Sequence, residues 1–354
     1  MRVPILGREY PIMVARGARS RWPEIIAEFG AAPRICVIAD ARVYELHGER
    51  LKGVLSGNAI VLTVPPGEQN KSLASAQRLY DELARAEIRR GDLIVALGGG
   101  MVGDLAGFVA ATWMRGIRFI QIPTTTEAAI DASVGGKTAV NHAAGKNLIG
   151  AFHQPIAVVI DTEFLDTLPE RDFRAGLAES VKHAVTRDSE FLAWHEQNAD
   201  AILAREPAAL AHLIAWNCRI KAAVVATDER DDGPRQVLNH GHTIGHALEH
   251  VFGYALRHGE CVALGMLVEN ELSRRRGLLD ADVAQRIRVL LTRLGLPTRL
   301  DRGVDADAVL RACRMDKKNA GGRVRFVLLT GLGQTQRSAD AQDAEITAAL
   351  AALA

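Results

Sequence analysis

The sequence predicts an α/β nucleotide-binding domain over residues 1–168, followed by a mostly α-helical domain over residues 169–354. Three observations carry that reading. In the first half, short runs rich in Val and Ile alternate with helical periodicity. A glycine-rich turn follows one of those runs directly. Beyond about residue 168 the β-rich runs give way to helical patterns.

Residues 1–14 hold two short runs around Gly7-Arg8, the pattern of an edge hairpin. Arg34–Ala39, Ala59–Val64, Asp92–Leu97, Phe119–Ile122 and Ile156–Ile160 are nearly continuous apolar runs. Strands buried on both faces of a parallel sheet read this way. Within Ser72–Ala86, residues Leu73, Ala76, Leu79, Tyr80 and Leu83 share one helical face. Strand–helix–strand alternation predicts a parallel sheet with helices on both sides. Pro169-Glu170 can open a helix, because proline fits the first turn. Helical pattern then runs to about residue 313, with breaks near Pro207, Asp231–Pro234 and Gly295–Pro297. A β-pair at Arg323–Leu329 and Thr335–Ser338 and an Ala-rich helix close the chain.

The totals narrow the function. A chain of 354 residues that is 48% hydrophobic can build more than one core. With 24% charged residues and a net charge of +1, nothing marks a nucleic-acid or acidic-membrane partner. Lys and Arg are spread out rather than clustered in tracts. Cys36, Cys218, Cys261 and Cys313 lie far apart with no CxxC, so a thiolate zinc site is not expected. Cys36 reads as a small buried hydrophobe. The N-terminus has no leader-like apolar region, and no unbroken apolar run reaches the length of a membrane span. The expectation is a cytoplasmic protein without a membrane partner.

Gly98, Gly100 and Gly103 satisfy G-x-G-x-x-G between a strand and a helix. Such a turn lets backbone N–H groups and a helix N-terminus approach a pyrophosphate, in Rossmann-like fashion. The motif follows an inner strand, and no acid stands at the usual strand end about 20 residues on. A glycine turn that only packs helix on sheet would look the same. Asp40 ends one strand, where an acid can accept from a ribose. Glu68 and Lys71 follow the next strand. Each also fits a helix cap or a solvated turn.

His242, His246 and His250 recur every four residues, so they share a helix face. His258 follows nearby, and Glu179 lies three residues before Lys182 on an earlier helix. Two imidazoles and a carboxylate are an established zinc set. The spacing leaves open which two of His242, His246 and His258 serve. Asp131, Lys137, Lys146, Asn147, Lys221, Arg235, Asn239 and Asp316-Lys317-Lys318 add a polar, basic set suited to an anionic substrate.

The strings GGGMVGDLAGFVAATWMRGI, DASVGGKTAVNHAAGKNLIGAFHQP, DTEFLDTLPERDFRAGLAESVKHA, LNHGHTIGHALEH and LRHGECVALGM resemble the 3-dehydroquinate synthase family in order and spacing. The resemblance runs from about residue 30 to residue 333. It implies metal ligands Glu179, His242 and His258, with His246 facing substrate. It implies substrate contacts at Asp131, Lys137, Asn147, Lys182, Lys221, Arg235, Asn239, His246 and one of Lys317 or Lys318. Arg115 would reach the neighbouring subunit's substrate, which implies a homodimer. Asp40, Glu68, Lys71, Gly99, Gly100, Asp104, Thr124, Thr125 and Lys146 would contact NAD. The implied cofactors are NAD and Zn2+, with Co2+ as a substitute.

The implied reaction converts 3-deoxy-D-arabino-heptulosonate 7-phosphate to 3-dehydroquinate and phosphate, a lyase step of the shikimate route to aromatic amino acids. It would run through transient oxidation by NAD, phosphate elimination, re-reduction and aldol closure. Two relatives of that chemistry compete: a sister cyclase acting on sedoheptulose 7-phosphate, and a metal-dependent polyol dehydrogenase. One departure stands out. The family's usual Thr-Thr-Leu-Leu-Ala is here Thr124-Thr125-Thr126-Glu127-Ala128. Glu127 can serve as a helix-start acid or alter substrate choice.

Overall fold

A computed structural model describes residues 1–5, 7–28, 32–52, 59–300, 303–315 and 324–354. The chain forms two compact units. The first comprises Met1–Pro169 with Leu210–Arg230; the second comprises Glu170–Ala209 with Asp231–Ala354. The change at Pro169 falls where the strand pattern stops. Leu210–Arg230 clusters with the first unit, which a single division at residue 168 does not express.

The first unit is built on a seven-stranded sheet. Its strands are β1 (Arg2–Val3), β2 (Tyr10–Ala15), β3 (Ile35–Asp40), β4 (Ala59–Val64), β5 (Leu93–Gly98) and β6 (Arg118–Pro123), with the last contributed by β9 (Ala157–Asp161). Between β6 and β9 runs a separate hairpin, β7 (Lys137–His142) and β8 (Gly145–Phe152). Helices α1 (Trp22–Glu28), α2 (Ala41–Lys52), α3 (Leu73–Arg85) and α4 (Gly100–Thr112) connect the strands. The spatial order is β1-β2-β9-β6-β5-β3-β4; β1 pairs antiparallel with β2, and the other pairings are parallel.

Alternation along the strands feeds two cores. Cys36, Ile38, Ile94, Ala96 and Phe119 pack with Leu79 and Leu83 of α3 and Leu105 and Val109 of α4. Val37, Ala39, Val95, Leu97, Ile120 and Ile122 pack with Trp22 and Phe164. Both faces are covered, which is why these strands read as continuous apolar runs. Cys36 is fully buried, and burial pushes its thiol up to about 12.

The order around β3 and β5 resolves the odd placement of the glycine turn. The chain leaves β3 toward β4 on one side and leaves β5 toward β6 on the other. Adjacent strands whose connections diverge form a topological switch point, where open α/β sheets bind ligands. Asp40 and Gly98 end those two strands.

Two features were not legible in the sequence. The β7–β8 ladder has no counterpart in the sequence reading, where Lys137, Lys146 and Asn147 figured only in a polar, basic set; its partly exposed, polar strands lack an apolar signature. Helix α7 (Pro207–Thr227) is long and apolar enough by length and mean hydropathy to cross a membrane, although His212, Asn217, Arg219 and Lys221 interrupt it, so no unbroken apolar run announces it. Its Leu210, Leu213, Ile214, Cys218 and Val225 are fully buried, as in the core helix of a globular unit.

The second unit contains α5 (Glu170–Arg187), α6 (Ser189–Leu203), α8 (His242–Val251), α9 (His258–Arg275), α10 (Ala281–Arg293) and α11 (Ala306–Met315). Strands β10 (Val324–Gly331) and β11 (Gln334–Ala341) form an antiparallel pair, and α12 (Asp343–Leu350) follows. Glycines set the helix spacing. A Cβ on Gly259 of α9 would lie 1.8 Å from the Ala175 carbonyl oxygen of α5. One on Gly265 would lie 2.0 Å from the Gly241 carbonyl oxygen before α8. Hydrogen alone fits at both contacts, so α5, α8 and the start of α9 approach closely.

Candidate active site

In the first unit, the turn after β5 is an open cradle. Gly99 caps α4 in extended conformation and, as a glycine, brings no side chain of its own to the helix N-terminus. Gly98 and Gly103 are packing glycines: Cβ atoms there would meet Val102 at 2.8 Å and Gln121 at 2.7 Å. The first-turn amides of α4 therefore point toward the strand ends as an anion site. Beside them, Thr124 leaves β6 with its N–H bonded to the Gly98 carbonyl at 2.9 Å. Its hydroxyl is buried with no hydrogen-bond partner. An orphaned buried hydroxyl calls for an acceptor or donor that the protein does not itself supply. Thr125 instead accepts the Ala128 N–H at 3.2 Å.

Lys71, 4% exposed, pairs with Asp104 of α4 at 2.5 Å and lies 3.7 Å from Glu68. Burial lowers the Lys71 ammonium, but Asp104 and Glu68 outweigh it and the net shift is upward. Burial raises the Asp104 carboxyl against the opposing pull of Lys71. Asp40 accepts from the Arg42 and Val43 N–H groups at 2.9 and 3.2 Å, so it caps α2 at the switch point.

The segment after β6 contains a π-helical turn, Ala128–Ala132, a form that recurs at functional sites. Glu127 is the residue that precedes it, at the N-cap. Asp131, within that turn, pairs with the buried Lys221 of α7 at 2.7 Å. The same ammonium donates to the Asp131 carbonyl at 2.6 Å. Lys137 opens β7, exposed; Lys146 and Asn147 lie early in β8. Asn147 takes a left-handed φ of 56°, and its N–H donates to Asn141 at 2.9 Å. Arg115 is exposed at a turn where Met114 and Arg115 both have positive φ, 52° and 65°. Arg90 grips the Met114 carbonyl with two guanidinium donors at 2.9 and 3.3 Å. Two consecutive strained residues cost of order 1 kcal/mol each and cluster at working sites.

In the second unit, Glu179 of α5, His242 at the start of α8 and His258 at the start of α9 converge. Their ligand atoms lie within 4.8 Å of one another. Glu179 Oε1 stands 3.4 Å from His242 Nε2 and 3.3 Å from His258 Nε2. Two donors held by one tetrahedral zinc at about 2.0–2.1 Å lie about 3.3–3.4 Å apart, so the residues fit such an ion. The other ring nitrogens are engaged: His242 Nδ1 meets the His240 carbonyl at 3.2 Å, and His258 Nδ1 meets Glu249 at 3.0 Å. Each ring therefore turns Nε2 toward Glu179.

Lys182, 1% exposed, forms an ion pair with Glu179. Burial would raise the Glu179 carboxyl, but Lys182, His242 and His258 hold it well below the usual range. Burial, then Lys182, pushes His242 down to about 3. The carboxylate is ionised and the imidazole neutral, as metal ligands must be. His246 lies beside the cluster, its ring 5.4 Å from His242 and 5.8 Å from His258. Arg235 is buried and Asn239 half-buried in the turn before α8. That turn is anchored by Gly241 N–H donating to the buried Glu269 at 2.7 Å. Lys317 and Lys318 lie outside the described residues.

Three residues here escaped the sequence reading. Glu249 sits inside the histidine string, three residues after His246, and could have been found as an acid that orients a ligand. Asn141 and Gly259 carry no such signal.

Family models match the chain in two consecutive pieces: the 3-dehydroquinate synthase N-terminal model over residues 61–175 and the C-terminal model over residues 176–319. The chain is 44% identical over 353 residues to the 3-dehydroquinate synthase of Dichelobacter nodosus, covering 98% of this chain and 94% of that one. It is 47% identical over 331 residues to that of Methylococcus capsulatus, covering 92% and 91%. This chain belongs to the 3-dehydroquinate synthase family. Among solved structures, a 2-epi-5-epi-valiolone synthase from Streptomyces hygroscopicus, with NAD+ and Zn2+ bound, superimposes with a TM-score of 0.89. It is 27% identical, over 97% of this chain and 96% of that one. The family's synthases are thus closer in sequence than this sister cyclase.

Proposed function

We propose that this chain converts 3-deoxy-D-arabino-heptulosonate 7-phosphate to 3-dehydroquinate and phosphate, as a metal- and NAD-dependent cyclase of the shikimate pathway. The observation that carries the metal half is the pair of 3.3–3.4 Å edges between Glu179 Oε1 and the two Nε2 atoms. The orphaned Thr124 hydroxyl beside the open α4 cradle carries the nucleotide half. Glu179, His242 and His258 would hold zinc or cobalt. Asp40, Glu68, Lys71, Gly99, Gly100, Asp104, Thr124, Thr125 and Lys146 would hold NAD. When bound, NAD supplies a reversible hydride acceptor, and the metal a Lewis acid that eases proton loss from a coordinated hydroxyl.

The chain's own residues do the rest. Arg235 offers a buried planar fork to a carboxylate, and Lys221, oriented by Asp131, a fixed cation. Lys182 keeps Glu179 ionised and presents its charge to an anionic substrate. Lys137, Asn147 and Asn239 orient the sugar, and holding its anionic groups converts binding energy into reactive geometry. His246 is placed to exchange a proton beside the metal ligands. The carboxylate-binding set and the sequence distances favour the sugar acid over sedoheptulose 7-phosphate. We place the enzyme in the cytoplasm as a homodimer, with Arg115 reaching the substrate phosphate of the partner.

The test is phosphate release from each of the two sugar phosphates with catalytic NAD+ and zinc. Release from the sugar acid alone, with no net NADH, is expected. Release only from sedoheptulose 7-phosphate would transfer the chain to the sister cyclases and direct attention to Glu127. Stoichiometric NADH without phosphate would make it a polyol dehydrogenase.

A further inference from the structure

We propose that Asn141 is a positioning residue that couples the nucleotide-binding edge of the first unit to the substrate-binding Asn147. The inference rests on the roles assigned above to Glu68, Lys71 and Asn147. Asn141 lies where the β7–β8 ladder loses register: Val140 pairs with Ile149, but His142 pairs with Gly145. Irregular steps of this kind re-aim a side chain. The Asn141 N–H donates to the Lys71 carbonyl at 2.8 Å, and the residue bridges to Ser72. Its side chain then reaches two ways. Nδ2 donates to Glu68 Oε1 at 2.8 Å, and Oδ1 accepts the Asn147 N–H at 2.9 Å. A carboxylate only accepts and a backbone N–H only donates, so the partners fix which end of the amide points where.

Both bonds matter for geometry. Asn147 is held in the left-handed region, φ 56°, where an unsupported residue relaxes. Glu68 Oε1 stands 3.7 Å from Lys71 Nζ, which pairs with Asp104 at 2.5 Å. The contacts run unbroken from Asp104 through Lys71, Glu68 and Asn141 to Asn147. Ordering either end orders the other, and such coupling is reciprocal. NAD+ and the sugar phosphate should therefore bind cooperatively through this one amide.

Two variants of the zinc-loaded enzyme separate the arms. Asn141→Ala removes both bonds. Asn141→Asp, nearly isosteric, keeps an acceptor for the Asn147 N–H but sets a carboxylate against Glu68. NAD+ affinity is read by calorimetry and substrate KM by phosphate release. Losing a charge-assisted bond weakens the affected ligand roughly 10-fold. Asn141→Ala should thus raise both constants, and Asn141→Asp should raise the NAD+ constant while moving substrate KM less than about 3-fold. Both constants within twofold of wild type in Asn141→Ala, or an NAD+ constant that responds to bound substrate in Asn141→Ala as it does in wild type, would overturn the coupling. If wild-type enzyme neither binds NAD+ nor releases phosphate, the functional reading falls and this one with it. If wild type does both and the variants match it, Asn141 alone is refuted.

Discussion

Gly259→Ala tests whether helix spacing, rather than ligand identity alone, builds the metal cluster. A Cβ at this position would sit 1.8 Å from the Ala175 carbonyl oxygen and 2.6 Å from its carbon, where real contacts do not fall below 3.0 Å. The obstacle is helical backbone and cannot rotate aside. The start of α9 must therefore retreat from α5 by about 1.2 Å, the difference between the clash and that limit. His258 is the adjoining residue, and Glu179 lies one turn along α5 from Ala175. The retreat falls directly on the 3.3 Å edge between Glu179 Oε1 and His258 Nε2. Metal–ligand distances tolerate only about 0.2 Å. Overpacking costs about 1–3 kcal/mol, so the variant should fold with a lowered melting temperature. Zinc affinity, measured by chelator competition, should fall at least 10-fold, toward the roughly 10–100-fold loss typical of a disturbed ligand set. Phosphate release should fall about 100-fold, as expected for a displacement near 1 Å. A folded Gly259→Ala protein with wild-type zinc affinity would refute the reasoning.

The other expectations concern single groups. Glu249→Ala should weaken zinc binding about 10–100-fold by freeing the His258 ring, with Glu249→Gln intermediate; equal affinities in all three proteins would sink the role. Ala in place of Glu179, His242 or His258 should abolish phosphate release, and a variant keeping the wild-type rate would remove that residue from the metal site. His195 is fully buried: Nδ1 faces the Phe191 carbonyl at 2.6 Å and Nε2 the Ser180 hydroxyl at 2.7 Å, so the neutral ring donates and accepts once each. Burial pushes it down to about 4 from 6.5, so the unfolded chain binds the extra proton first and stability falls as pH drops through that window. His195 should account for about 2–3 kcal/mol of the loss in urea-unfolding stability between pH 7 and pH 4.5. His195→Gln should flatten the profile by that amount; parallel profiles would count against it.

Much of the fold was legible because its causes are local. Four inner strands of the sheet, β3, β5, β6 and β9, appear as nearly continuous apolar runs, since burial on both faces leaves no polar alternation to confuse them. Helix α3 announced itself through the face formed by Ala76, Leu79 and Leu83, and the structure adds the Ser72 cap. The β7–β8 hairpin did not, because its strands are partly exposed and interrupted by glycines that serve packing: a Cβ on Gly150 would strike the Thr138 carbonyl at 2.3 Å. That requirement exists only once the strands are paired.

The sequence by itself determined the chemistry available: which carboxylate, imidazoles, cations and glycine turn the chain owns, and the order in which they occur. The four-residue repeat put His242, His246 and His250 on one helix face without saying what that face meets, and left open which two of His242, His246 and His258 serve. Only the tertiary structure shows that Glu179 of α5 stands 3.4 Å from His242 and 3.3 Å from His258, the contacts that support the proposed set. It also supplied Glu249 to one ring and the His240 carbonyl to the other. Distances between residues far apart in the chain are set by what packs between them, and here the deciding contact is a hydrogen on Gly259 where any side chain would hold the helices apart.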